Sequence, residues 1–292
     1  MGTGEERRLR LAMQRQGRLT EGTTSLLRGI GLQFESYQQR LLTPCRNFPL
    51  DILFGRDDDI PEYVADGTVD LGIVGRNMIV EKEARVEELL PLGFGYCSLV
   101  VAVPNDSNIE SPEQLHGKRV ATSYPNSTKR YFQNLGVEVE LVVLSGSVEV
   151  APSLGIASAI VDISATGSTL VLNDLRTIAT VLESEAVLIA NPETVESSDV
   201  KPNIDRLLLR IKSLLAAKQY KYVMMNAPRW ALPAIRKITP GLKSPTVVPL
   251  ADPDWVAVHT VIQESEFWEV IEKLREAGAS EILVNPIEKL LL

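Results

Sequence analysis

Short apolar runs alternate with segments of helical period through most of the first 215 residues, the pattern of an α/β protein with a largely parallel sheet. Leu9 to Met13 reads as a strand, and Thr20 caps a helix that runs through Leu27 and stops near Gly29 or Gly31. The loop between them holds Arg15, Gly17 and Arg18. Asp51 to Phe54 is a second strand, Ile60 to Ala65 a helix closed by Gly67, and Asp70 to Val74 a third strand ending on Gly75.

A second unit opens with the continuously apolar run Ser98 to Val103, as expected of a buried strand, and Ser111-Pro112 has the order of a helix start. It continues with strands at Arg119 to Thr122, Glu138 to Val143 and Ala157 to Ile163, and helices at about Ser127 to Leu135 and Val148 to Leu154. Thr177 to Leu182 and Ala186 to Ala190 are apolar runs separated only by Glu183, Ser184 and Glu185, which predicts a return to the first unit as antiparallel strands. Ile204 to Ala217 is an amphipathic helix.

The pattern then changes. Lys221 to Met225, Thr246 to Pro249, Trp255 to Ile262 and Glu281 to Val284 read as strands, with helices at Trp230 to Ile238 and Phe267 to Ala277. That order, βαββαβ in about 70 residues, is the ferredoxin-like split pattern. The expected domains are residues 1–97 with 180–217, an inserted 98–179, and a tail at 218–292.

At 292 residues, 45% of them hydrophobic, the chain has globular composition and room for more than one core. Lys plus Arg is 30 against 38 Asp plus Glu, a net charge of −8, which argues against nucleic acid or an anionic membrane surface as partner. An anionic ligand must therefore be held locally. The longest stretch without charge, Leu89 to Asn105, has 17 residues and is interrupted by Pro91, Gly93, Gly95 and Pro104, so no membrane-spanning helix is expected. The start, Glu5-Glu6-Arg7-Arg8, lacks the apolar core of a secretion signal, which predicts a cytoplasmic location. Two cysteines, Cys45 and Cys97, and two histidines, His116 and His259, leave little for a thiolate or imidazole metal site or a histidine-based triad.

The stretch SGSVEVAPSLGIASAIVDISATGSTL, Ser145 to Leu170, carries the most chemistry. An apolar strand delivers Asp162, and Ser164, Ala165, Thr166, Gly167, Ser168 and Thr169 follow as a small, hydroxylated turn pivoting on one glycine. Such a turn exposes N–H groups suited to a phosphate monoester. A carboxylate beside it would repel phosphate, so Asp162 suits ribose hydroxyls, and Glu149, 13 residues earlier, supplies a second acid. Alternatively, the serines and threonines only cap the following helix.

Acid and hydroxyl turn together resemble the loop by which phosphoribosyltransferases hold phosphoribosyl diphosphate. QRQGRL, RDDDIP, GTVDLGIVG, GKRVATSYPN, SGSVEVAPSLG, VDISATGSTL, SPTVVPLADPDW and ILVNPIEK occur in this order. Across nearly the whole chain they resemble the long form of ATP phosphoribosyltransferase, the family that opens histidine biosynthesis. The resemblance implies transfer of phosphoribosyl to N1 of the adenine of ATP with release of pyrophosphate, a requirement for Mg²⁺, and feedback inhibition by histidine. It implies a bilobed, periplasmic-binding-protein-like catalytic body of two α/β domains and a C-terminal ferredoxin-like regulatory domain. It places the 5-phosphate on Ser164 to Thr169, the ribose hydroxyls on Glu149 and Asp162, and a histidine effector near Asn226, Leu242, Thr246 and Glu281.

Arg15 and Arg18, then Arg56 with Asp57, are the candidates to meet ATP and pyrophosphate, since the guanidinium fork engages two phosphate oxygens. Asp57, Asp58 and Asp59 equally suit a helix N-terminus, and Asp70 is either a site acid or a strand-end cap. The chain departs from the family pattern at Arg15, where lysine is common, at Ser158 and Ser98, which replace Asp and Arg, and at Asn226, which replaces an acid of some relatives. Exposed sheet edges in such tails are often paired between chains, which fits a homo-oligomer, dimer or hexamer.

Two alternatives carry other chemistry. A prephenate dehydratase would need a Thr-Arg-Phe cluster, and Ser127 to Phe132 is the nearest string. A non-catalytic small-molecule-binding module would use the same bilobed fold.

Overall fold

The structure, a computed structural model, describes residues 7–35 and 40–292, so Glu5 and Glu6 of the start lie outside the described residues. The chain divides into two compact units, Met1–Ile204 and Asp205–Leu292.

The first unit begins with β1 (Leu9–Gln14), α1 (Thr20–Gly29), β2 (Leu42–Pro44), β3 (Leu50–Gly55), α2 (Ile60–Ala65), β4 (Leu71–Gly75), α3 (Arg76–Lys82) and β5 (Glu87–Pro91). It continues with β6 (Cys97–Pro104), β7 (Arg119–Thr122), α4 (Pro125–Asn134), β8 (Glu140–Val143), β9 (Ala159–Ser164), α5 (Ser168–Leu172) and β10 (Leu175–Ser184). β11 (Ala186–Ala190) and α6 (Pro192–Glu196) follow, and α7 (Lys201–Lys218) runs on into the second unit.

These strands make two sheets, ordered β2-β3-β1-β4-β11-β5 and β10-β6-β9-β7-β8, which define a first and a second lobe. β3, β1 and β4 are parallel to one another, as are β9, β7 and β8. β4 and β11 are buried at every residue, as an unbroken apolar run requires in a sheet covered on both faces. The architecture is the expected bilobed body of two α/β sheets.

β10 and β11 do not form a hairpin. β10 pairs antiparallel with β6 in the second sheet, and β11 pairs antiparallel with β4 and β5 in the first. The charged Glu183 to Glu185 step is thus a crossing between sheets. Ser184 anchors it: its Oγ accepts the Asn77 N–H at 3.0 Å and donates to Asn77 Oδ1 at 2.8 Å. The Arg76 guanidinium meets Glu88 at 2.6 Å and Glu185 at 3.6 Å.

Thr20 is not the cap of α1. Leu19 holds that position, and the Gln14 side chain reaches forward from β1 to accept the Leu19 N–H at 2.9 Å. The expected helix at Val148 is a single 3-10 turn, Val148–Val150.

The second unit takes most of α7, β12 (Tyr220–Pro228), α8 (Leu232–Ile238), β13 (Thr246–Pro249), β14 (Trp255–Gln263), α9 (Phe267–Glu276) and β15 (Ser280–Pro286). Within this unit the Leu290 N–H donates to the Ser213 carbonyl of α7 at 2.9 Å. Its antiparallel sheet runs β13-β14-β12-β15, the ferredoxin-like order. Val223, Met225, Val256 and Val258 pack on one face with Ile235 of α8 and Leu274 of α9.

Gly72 in β4 shows how closely the first lobe is packed. A Cβ there would stand 2.8 Å from Ile60 Cγ2 and 2.9 Å from Val64 Cγ2. Gly72→Val is expected to cost about 1–3 kcal/mol of stability by overpacking, read as a lower urea midpoint by circular dichroism. An unchanged midpoint would contradict this packing.

Candidate active site

Parallel strands aim their carboxyl ends at one edge of a sheet, and ligands of open α/β sheets bind outside that edge. In the first lobe the edge is built by the ends of β1, β3 and β4, which lead into Arg15 to Arg18, Arg56 and Asp57, and Arg76. In the second it is built by the ends of β7, β8 and β9, which lead into Tyr124, Glu149 and the Ser164 to Thr169 turn. The two edges meet at Tyr124, which packs against a core cluster of each lobe and whose phenol is raised by burial and by the Asp162 and Asp57 carboxylates.

On the first edge, Arg15, Arg56, Asp57, Asp58 and Tyr63 line one cavity of about 690 Å³. Gly17, at φ 138°, lets the chain turn tightly after Arg15, a conformation that side chains disfavour. Arg18 stands beside Asp57 and donates from Nη1 to the Gly95 carbonyl on the inter-lobe segment. Asp57 Oδ1 is buried with no hydrogen-bond partner in the structure. Burial, reinforced by Asp58, raises the Asp57 carboxyl above its ordinary range, while Arg18 opposes the rise.

On the second edge, the alternation of β9 decides which side chain faces where. Ala159, Val161 and Ile163 pack into one core and Ile160 into the other, so Asp162 emerges on the face that Val148 and Leu170 cover. Glu149, next to Val148, is thereby brought to Asp162. Burial first, and then the Glu149 charge, push the Asp162 carboxyl up to about 6, while its hydrogen bond from the Ile163 N–H, at 2.8 Å, opposes this. Gly167, at φ 77°, turns the chain into α5, and Thr166 Oγ1 and Ser168 Oγ are 2.9 Å apart. Ala165, Thr166, Ser168 and Thr169 are exposed.

Asp70 is not part of this group. It stands just before β4, at the opposite edge of the sheet, where it accepts the Arg10 N–H at 2.7 Å and pairs with Arg7 at 2.7 Å. It is a strand-end cap. The substituted positions are satisfied otherwise: Ser98 Oγ donates to Glu183 at 2.7 Å, and the Ser158 N–H to the Arg119 carbonyl at 2.8 Å. Tyr124 was not legible as a site residue, since its only signal was a tyrosine between a strand end and a proline.

In the second unit, Asn226 Nδ2 donates to Glu281, whose backbone is left-handed at φ 50°. Thr246 on β13 is two strands from Asn226 on β12, roughly 10 Å at ordinary strand spacing, and Leu242 lies in the loop before β13. One chain therefore joins Asn226 to Glu281 but leaves Leu242 and Thr246 apart from them. His259 is held by the strand sheet, with Nδ1 at 2.8 Å from the Tyr222 hydroxyl.

A two-lobed α/β body with two carboxylates and a hydroxyl-rich turn at its strand ends, followed by a ferredoxin-like tail, suits an enzyme that transfers a sugar phosphate. Comparison with known proteins identifies which. Residues 56–213 match the family model described as ATP phosphoribosyltransferase, and residues 217–289 that described as HisG, C-terminal domain. The chain is 45% identical to the ATP phosphoribosyltransferase of Cytophaga hutchinsonii over 97% of its length and 98% of the relative's. It is 46% identical to that of Bacteroides fragilis, over 97% of this chain and 100% of the relative. Among solved structures, the ATP phosphoribosyl transferase (HisG:HisZ) complex from Thermotoga maritima matches with a TM-score of 0.61 at 30% identity, covering 70% of this chain and 98% of that one. The chain belongs to the ATP phosphoribosyltransferase family, pentosyltransferases of histidine biosynthesis. This decides against the prephenate dehydratase and non-catalytic readings. Within the string Ser127 to Phe132, Thr128 is buried against Thr122 and Phe132 is core. No helix among the described residues is long and apolar enough to cross a membrane.

The pairing of Asp162 with Glu149 makes a titration test. The Asp162 carboxyl carbon, followed by NMR, is expected to titrate near pH 6 and to move to lower pH in Glu149→Gln, which removes the like charge. An ordinary carboxylate midpoint in the wild type would contradict the desolvation of Asp162.

Proposed function

We propose that the facing strand ends form the active site, with phosphoribosyl diphosphate on the second lobe and ATP toward the first. The observation that carries this is the convergence of Asp162, Glu149 and the Ser164 to Thr169 turn on one sheet edge. Ser164, Ala165, Thr166, Gly167, Ser168 and Thr169 bind the 5-phosphate through backbone N–H groups and hydroxyls. Asp162 and Glu149 hold the ribose hydroxyls. The adenine N1 lone pair forms the bond to C1 as the C1–O bond breaks, and that electron pair leaves with pyrophosphate. Positive charge grows on the ribose ring, where two preorganised carboxylates stabilise it. Arg15, Arg18 and Arg56 offset the phosphates, and Arg18 also offsets the Asp57 charge. No protein nucleophile is required.

The donor set fits a Mg²⁺ ion that arrives with substrate. Among the described residues no three ligating side chains cluster, whereas Mg²⁺ in such sites is held by substrate phosphates with one or two carboxylates, here Asp162 or Glu149. When bound, the ion neutralises the leaving pyrophosphate. The same reading makes histidine an inhibitor acting at Asn226, Leu242, Thr246 and Glu281, and the enzyme a cytoplasmic homo-oligomer.

The test is pyrophosphate release from ATP, phosphoribosyl diphosphate and Mg²⁺. Asp162→Asn is expected to lower kcat by about 10²- to 10³-fold, as for loss of one preorganised electrostatic group. In the wild type, kcat/KM is expected to rise with pH through about 6 as Asp162 ionises. A fully active Asp162→Asn variant would refute the carboxylate role. For the tail, calorimetry is expected to show histidine binding weakened about five- to tenfold by Asn226→Ala, as for one lost hydrogen bond; equal affinity would remove Asn226 from the effector site.

A further inference from the structure

Glu81 lies near the C-terminal end of α3 in the first lobe and is 6% exposed. A buried carboxylate is costly unless its oxygens are satisfied. Here Oε1 accepts the Asn126 N–H at 3.0 Å and Oε2 the Ser127 N–H at 2.9 Å, while the Glu81 carbonyl accepts Asn126 Nδ2 at 2.8 Å. Asn126 and Ser127 open α4 in the second lobe, so the carboxylate sits on that helix's N-terminal N–H groups and positive dipole end.

α4 receives no side-chain cap from its own N-cap residue, which is Tyr124. The cap comes from the other lobe. Tyr124 also packs against both lobes, against the core cluster that includes Phe132 and Val161 and against the one that includes Ala12 and Val74. Its N–H donates to Thr122 Oγ1 at 2.9 Å, which fixes the turn out of β7. Only Pro125 separates Tyr124, whose phenol both Asp162 and Asp57 act on, from the residues that Glu81 binds. The neighbouring ion pair of Arg130 with Glu83 also links α4 to the chain after α3, but it is exposed and screened by solvent.

We propose that Glu81 is a positioning residue for the transfer: by capping α4 across the seam it fixes Tyr124 and holds the Asp57 and Asp162 edges at the separation the two substrates need. This rests on the cleft being the active site. The cap acts on geometry, so its loss falls on the reacting complex rather than on one substrate's affinity, and a displacement of about 1 Å in such a site can cost about a hundredfold.

The test compares full-length Glu81→Gln, Glu81→Asp, Asn126→Ala, Tyr124→Ala and the Glu81→Gln/Tyr124→Ala double variant, each checked for folding by circular dichroism. Folded Glu81→Gln is expected to lose ten- to a hundredfold in kcat with KM changed less than threefold. Asn126→Ala, which loosens the same clamp from the opposite side, and Glu81→Asp, which keeps the charge, are expected to show smaller losses in the same parameter and stand in if Glu81→Gln fails to fold. In the Tyr124→Ala background, Glu81→Gln is expected to add less than threefold. Glu83→Gln, which breaks only the exposed pair, is expected to leave kcat and KM unchanged. Wild-type kcat in folded Glu81→Gln, or in both substitutes, overturns the proposal, as does full multiplication of losses in the double variant. Asp162→Asn in the same assay separates the two readings: if it stays active the cleft assignment fails, whereas its inactivity beside a fully active Glu81→Gln overturns only Glu81.

Discussion

Burial of negative charge at the meeting of two strand-end edges is the constraint on which the first unit depends. Parallel strands bring loops and helix starts to one edge, and the two sheets turn those edges toward each other. Asp57 and Asp162 are then half-buried, one in each lobe, and both act on the Tyr124 phenol. Their carboxyls are raised because water is excluded and like charges lie near. That is an unfavourable arrangement in the isolated chain, and it suits a reaction in which positive charge develops on a sugar ring.

The seam explains how such edges are held in register. Between lobes the chain passes after β5 and again at Ser184, and polar groups satisfied across the join fix it: Ser184 with Asn77, Arg76 with Glu185, and Glu81 with the start of α4. Hydrogen bonds of this kind contribute little net energy but are costly to leave half made, so they select one arrangement over many. The net charge of −8 is compatible with polyanionic substrates for a related reason. Phosphates need local N–H groups and a few arginines, not a basic surface.

Much of this was legible in the sequence, for identifiable reasons. β4, β6 and β11 are unbroken apolar runs, and a buried strand leaves that signature whatever surrounds it. The βαββαβ tail was legible because its alternation is regular. Asp162 and its turn could be read because acid, hydroxyls and glycine are adjacent in the chain. What escaped was long-range. α3 and β5 carry polar residues that the seam satisfies, and Glu81 looks like any surface glutamate until α4, 45 residues on, is brought against it. Asp70 stayed open between site acid and cap because a strand's start and end look alike in sequence but lie at opposite edges of the sheet.

The most direct measurement is amide hydrogen exchange of the full chain with and without phosphoribosyl diphosphate and Mg²⁺. The account predicts protection confined to the two facing edges: the Ser164 to Thr169 turn, the Ser147 to Glu149 turn, and the segments after β1 and β3. Protection centred instead on the Arg7, Arg10 and Asp70 edge, or on the second unit, with none at Ser164 to Thr169, would contradict it.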